Sequence, residues 1–227
     1  MPLILNIETA TDICSVCISK NDEILVIKET DKENEHTKKV TVLIQQCCKS
    51  LGITLDQLDA VAVSKGPGSY TSLRVGVSTA KGICFALDKP LISIDTLESI
   101  AISTQNKFKQ AAYYAPMIDA RRMEVYTSLF DKDVNPILNT HAKIIDNHSF
   151  QDYFDKGHTI VFSGNGAEKC RNVIDSPKAI FSSEVCSAAN MVPLSYSAFQ
   201  RKDFCNVAYF SPSYFKSPNI TISHKTL

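Results

Sequence analysis

The residues best suited to chemistry begin with Gly66-Pro67-Gly68-Ser69-Tyr70-Thr71, set between an apolar run and a helical pattern. Backbone amides at a helix N-terminus, with the Ser69 and Thr71 hydroxyls beside them, suit an anion. Neither a Gly-Lys-[Ser/Thr] ending nor a Gly-x-Gly-x-x-Gly follows, so the phosphate-loop patterns are missing. Read by itself, the loop is equally a tight turn with an N-cap. Ser69 lacks the Gly-x-Ser-x-Gly setting of an exposed nucleophile. The histidines (His36, His141, His148, His158, His224) contain no pair four apart, and no metal site is expected from them. Cys14-x-x-Cys17 has redox or zinc spacing, but it lies in an alternating run, where residues three apart point to opposite faces of a strand. Asp119, Arg121, Arg122 and Glu124 cluster in a charged turn that suits either a ligand or mutual ion pairing. No catalytic residue is expected.

Composition bounds the reading. The 227 residues carry 24 Lys+Arg and 24 Asp+Glu, 44% apolar and 21% charged residues, which is globular and formally neutral. A neutral chain is a poor candidate for a large nucleic-acid surface, and direct tRNA contact through Lys38, Lys39, Arg121 and Arg122 is expected to be weak. The N-terminal apolar residues lack a basic leader, and no stretch approaches the ~20 apolar residues of a membrane span. A cytoplasmic protein is expected, and the eight cysteines read as small buried hydrophobes of a reducing compartment.

These residues need elements to hold them. Leu3 to Ile7, Cys14 to Ser19 and Ile24 to Ile27 predict three meandering strands. A helix ending at Gly52 follows, then strand Val61 to Ser64, a helix from about Thr71 to Leu87, strand Leu91 to Ile94 and a third helix through Ile102. The pattern restarts with strands at Ala112 to Ile118, Val125 to Phe130 and Ile160 to Ser163, loops at Asn135-Pro136 and Asp146-Asn147, a turn at Gly164-Asn165-Gly166-Ala167, and a helix over Ser187 to Arg201. The order β-β-β-α-β-α-β-α builds a mixed sheet with helices on both faces. The expectation is an α/β chain of two actin-like, ribonuclease-H-like lobes, each a mixed sheet with helices, the second smaller and less regular. Residues 1–105, joined by the tail 206–227, form the first lobe and 106–205 the second.

The second helix points to a partner. Arg74, Ser78 and Lys81 share one narrow stripe, and apolar residues cover most of the remaining circumference. Such a helix must be buried on most sides. Gly76, Ala80 and Gly82 suggest close approach of another backbone, since each glycine lowers helicity by up to ~1 kcal/mol. Either the first helix covers it within the chain or another subunit does; the preferred reading is a subunit interface. Its residues are Val40, Leu43, Ile44 and Cys47 of the first helix, with Leu73, Arg74, Val77, Ala80, Lys81 and Cys84 of the second.

Ile7-Glu8-Thr9-Ala10-Thr11, Cys14-Ser15-Val16, Glu35-His36-Thr37, Gly66 through Gly76, Ile118-Asp119-Ala120-Arg121 and Glu124-Val125-Tyr126 together closely resemble the TsaB (YeaZ) family. The match runs in order over residues 3–126. Beyond it, Gly164-x-Gly166 and Pro212-Ser213-Tyr214-Phe215-Lys216 are similar to family features. The resemblance implies a bacterial, non-catalytic member of the actin-like ATPase superfamily. Its partners would be TsaD and TsaE, and it would also self-associate as a homodimer. The process would be threonylcarbamoylation of the tRNA adenosine following the anticodon, with tRNA met only through the complex. It implies no cofactor in the isolated subunit and adenine nucleotide in the assembled complex. Glu8, Thr9, Gly66, Gly68, Ser69 and Thr71 would form the anion or nucleotide loop, although Glu8 replaces the usual Asp and Thr9-Ala10-Thr11 lacks the usual glycine. Thr96 and Ile100 stand where the catalytic relative TsaD carries its His-x-x-x-His metal pair, and neither supplies a nitrogen ligand. The alternative is an enzyme of the same superfamily, a sugar-kinase-like ATPase or a glycoprotease-like peptidase.

Overall fold

The computed structural model describes residues 1–30 and 36–216. Glu35, His224 and the tail beyond Lys216, all invoked above, lie outside the described residues. Two five-stranded mixed sheets are present, as the element order predicts.

The first sheet has the order β3-β2-β1-β4-β5. Strands β1 (Leu3–Glu8), β2 (Ser15–Lys20) and β3 (Glu23–Glu29) form the antiparallel meander, and β4 (Ala60–Gly66) and β5 (Leu91–Asp95) extend it in parallel with β1. Strand β1 is nearly continuous in apolar residues because both its faces are covered. On one face lie α1 (His36–Leu51) and α2 (Tyr70–Leu87), which close over Leu5, Ile7, Val16, Ile18, Val61 and Val63. Gly52, at φ +65°, turns the chain out of α1.

The opposite face is covered by α5 (Val192–Arg201), whose Ala198, Leu194 and Phe199 pack on Ile4, Ala62 and Ile92. The boundary at residue 205 is therefore corrected: this helix was expected in the second lobe. An apolar face declares that a helix must pack, not which sheet it packs on. Its first turn also differs, because Ala188–Met191 is a 3-10 turn ahead of the helix.

The second sheet runs β10-β9-β6-β7-β8. It comprises β6 (Tyr113–Asp119), β7 (Glu124–Asp131), β8 (Pro136–Ile144), β9 (Ile160–Ser163) and β10 (Ala179–Phe181), with α4 (Gln151–Asp155) on its outer face. Strand β8 replaces the loop expected at Asn135-Pro136. It is an edge strand whose residues are mostly exposed, and Pro136 occupies its first position, where no ladder hydrogen bond is lost.

Between the sheets stands α3 (Thr96–Lys107), capped by the Asp95 carboxylate, which accepts from the Leu97 and Glu98 amides at 3.0 and 3.2 Å. Leu97, Ile100 and Ala101 pack on Tyr114, Ile118 and Val161 of the second sheet. The helix runs five residues beyond the Ile102 expected from sequence, through a polar stretch in which Thr104 is buried and donates to Ser163 Oγ at 2.8 Å while Asn106 and Lys107 are exposed.

Candidate functional site

The carboxyl ends of β1 and β4 face those of β6 and β9 across a cleft of about 460 Å³. Carboxyl ends of parallel strands are where open α/β sheets leave room for ligands. Ala10, Thr11, Asp12, Gly68, Ser69 and Thr71 line one wall, and Asp119, Arg121, Tyr126 and Asn165 the other. Ser213 to Lys216 complete the rim.

The six residues expected to form an anion loop divide into two sets. Gly68, Ser69 and Thr71 line the cleft, whereas Glu8, Thr9 and Gly66 are buried beneath it. The two loops are fastened together: the Ser69 amide donates to the Ala10 carbonyl at 2.7 Å, and a Cβ at Gly68 would sit 2.4 Å from that same oxygen. Gly68 is therefore needed for close approach, and the Ser69 amide is already engaged. The Ser69 hydroxyl accepts from Ser72 Oγ at 3.0 Å.

Glu8 is fully buried. Its Oε1 accepts from the Ala10 amide at 2.7 Å, while Oε2 has no partner. Burial pushes its carboxyl up from an ordinary 4.5 to about 7, opposed mainly by the Ala10 N–H. Thr9 is buried beside it, and its hydroxyl has no partner. His36 is buried near Thr11 and Ile13, with Nε2 unpartnered, and burial pushes its pKa down, which favours the neutral ring.

On the second lobe, the charged turn is largely neutralised by its own chain. Lys169 ion-pairs with Asp119 and donates to the Arg122 and Glu124 carbonyls, each at 2.7 Å. Lys216 ion-pairs with Glu124. Arg121 and Arg122 both adopt left-handed backbone, φ +72° and +51°, at the hairpin tip. The Gly164–Ala167 turn packs tightly against β6, and Asn165 Oδ1 accepts from the Asp119 amide at 3.1 Å.

The expected partner interface requires correction. Val40, Leu43, Ile44, Cys47, Leu73, Val77, Ala80 and Cys84 are all 5% exposed or less, and all but Leu73 belong to the core between α1, α2 and the first sheet. They present no side-chain surface to another molecule. Gly76 is explained within the chain as well, since a Cβ there would lie 2.2 Å from Thr9 Oγ1. Arg74 and Lys81 engage the chain's own C-terminal segment: Arg74 Nε donates to Tyr214 Oη at 3.1 Å, and Lys81 Nζ to the Ala208 and Phe210 carbonyls at 3.1 and 2.9 Å. Along its outer side α2 leaves Ser78, Gly82, Phe85 and Ala86 exposed; Phe85 is 85% exposed, and a Cβ on Gly82 would meet no neighbouring atom within 4 Å.

Tyr214, Phe215 and Lys216 form part of the site without having been singled out for it. The family resemblance marks Pro212 to Lys216 as a segment, but only its long-range partners place it at the cleft. All eight cysteines are free, and burial pushes the Cys14 and Cys17 thiols up to about 12, so the Cys-x-x-Cys spacing carries no reactive pair. Among the described residues, no helix is long and apolar enough to cross a membrane.

Comparison with known proteins agrees with this architecture. The chain is 37% identical over 125 residues to the tRNA threonylcarbamoyladenosine biosynthesis protein TsaB of Haemophilus influenzae, covering 55% of this chain and 52% of that protein. It is 33% identical over 134 residues to TsaB of Escherichia coli, covering 59% and 57%. The chain thus spans a little over half the length of these curated relatives. The structure of YeaZ from Pseudomonas aeruginosa superposes with a TM-score of 0.80 at 21% identity, covering 94% of this chain and all of that one, which establishes the shared fold. The resemblance to TsaB read from the sequence therefore holds. A family model described as "TsaD: tRNA N6-adenosine threonylcarbamoyltransferase" matches residues 27–222, and the chain belongs to that family.

Proposed function

We propose that this chain is a non-catalytic, TsaB-type subunit acting beside TsaD and TsaE in threonylcarbamoylation of the tRNA adenosine that follows the anticodon. The observation that carries the reading is the packing of α3. Thr96 and Ile100 lie one turn apart and are fully buried. Where the family resemblance places the imidazole pair of TsaD, this chain has a hydroxyl and an alkyl group turned into its own core. Its relatives' names, tRNA threonylcarbamoyladenosine biosynthesis protein, supply the process.

The partner surface is the outer stripe of α2, Ser78, Gly82 and Phe85, rather than the buried faces of α1 and α2. An exposed phenylalanine beside a glycine that no other residue approaches fits the close packing of a helix from a second subunit. Self-association uses the same stripe, so homodimer and heterodimer exclude each other. Adenine nucleotide and tRNA are engaged by the assembled complex in the cytoplasm.

Mass measurement of the chain, alone and mixed with its TsaD partner, tests this. The heteromeric species should form with the wild-type chain and be lost with Phe85→Glu, with thermal unfolding unchanged. Persistence of the complex in Phe85→Glu and Gly82→Glu overturns the surface. ATP turnover or proteolysis by the isolated chain overturns the non-catalytic role.

A further inference from the structure

The segment Ser213 to Lys216 crosses the mouth of the cleft and touches both lobes in consecutive residues. On the first lobe, the Ser213 amide donates to the Lys65 carbonyl at 2.8 Å. Its own carbonyl lies where a Cβ on Gly66 would come within 2.9 Å, so the glycine is what admits the segment there. The Tyr214 ring packs at a tilt of 41° against Tyr70, with centroids 4.7 Å apart, and its hydroxyl accepts from Arg74 Nε. The Arg74 guanidinium lies 4.0 Å over the Tyr70 ring, which completes an aromatic–cation cluster on α2. Upstream, Val207 and Phe210 pack against the first core, and Lys81 holds the Ala208 and Phe210 carbonyls.

The next two residues belong to the other lobe. Phe215 lies 6.3 Å from the Tyr126 ring, and Lys216 ion-pairs with Glu124, both on β7. Two residues of extended chain span at most about 7 Å. The lobes therefore cannot separate at this edge without releasing either the Tyr214 or the Lys216 anchor. Tyr214 and Phe215 are 40% and 39% exposed, so ring and charge contacts hold them rather than deep burial, which is the character of a segment that releases locally.

We propose that Ser213–Lys216 is a strap that locks the two lobes at one opening of the cleft, anchored by Tyr70 and Arg74 on one side and by Tyr126 and Glu124 on the other. Release of either anchor loosens both walls of the cleft at this edge, because there the strap ties one lobe to the other. The strap also ties the cleft to α2, since Arg74 and Lys81 hold it from that helix.

Hydrogen exchange of the full chain, followed by mass spectrometry, tests the lock. In Tyr214→Ala, exchange should rise about tenfold in peptides covering both 66–74 and 119–126, the loss expected for one charged hydrogen bond with its ring contact. Lys216→Ala, which alters only the second-lobe anchor, should speed exchange in 66–74 as well as in 119–126. A peptide covering 91–101 should stay unchanged and thereby exclude global unfolding. Acceleration confined to the wall that the altered residue touches, or no acceleration, overturns the strap. If Tyr214→Ala does not fold, Tyr214→Phe and Lys216→Ala decide by the same criterion.

Discussion

Replacing Glu8 with Gln should remove most of a pH dependence that this buried carboxyl imposes on folding. The group is fully buried, and burial raises its pKa from 4.5 to about 7. The folded state therefore holds a proton that the unfolded state releases between these two values. Stability contributed by the neutral carboxyl is fully present below about pH 4.5 and is lost as pH rises through about 7. At about 1.4 kcal/mol per pH unit, the loss amounts to about 3 kcal/mol. Glutamine keeps an oxygen for the Ala10 amide and carries no ionisable proton, at a cost of about 1 kcal/mol if its new N–H finds no acceptor. The diagnostic quantity is therefore the slope with pH and not the absolute stability. Glu98 is also pushed up by burial and His36 pushed down, and these are common to both chains and largely cancel in the difference, whereas Asp95, whose charge acts on Glu8, is coupled to it. Urea unfolding across this range should show the wild type losing about 3 kcal/mol relative to Glu8→Gln by about pH 8. Parallel profiles for the two chains would refute the reasoning, because they would mean that Glu8 is ionised and solvated in the folded state.

The two glycines of α2 should respond with opposite sign. Gly76→Ala forces a Cβ to within 2.2 Å of Thr9 Oγ1 and should cost about 1–3 kcal/mol, whereas Gly82→Ala meets nothing and should gain about 0.5–1 kcal/mol of helix propensity, both read from urea midpoints. The faces of the same helix should separate as clearly. Leu73→Ala empties core volume and should cost about 2–5 kcal/mol, while Phe85→Ala, on an 85% exposed residue, should stay within about 0.5 kcal/mol by thermal unfolding of the isolated chain.

Much of the first lobe is legible because its signals are local. Strand β1 is almost unbroken in apolar residues, α1 repeats at helical spacing, and Gly52 marks a helix end. The second lobe yields less. Strand β8 is mostly exposed and opens with proline, so neither alternation nor burial marks it. Strand β10 has three residues, too few for any period. The cleft follows the same division. Gly68, Ser69 and Thr71 are visible as a strand–helix loop, but Tyr214 meets Arg74 across 140 positions, which no local pattern encodes.

Periodicity and composition by themselves determined the two-sheet α/β architecture, the order of its first elements and the need for α2 to be enclosed on most sides. These follow from backbone geometry and from the free energy of removing apolar surface from water, which are properties of short stretches of chain. Tertiary structure alone decided what encloses α2, which sheet α5 covers, and that Glu8 lies beneath the cleft instead of facing it. Burial and side-chain pairing depend on which distant segments meet, and an apolar face specifies that it must be covered without specifying by what.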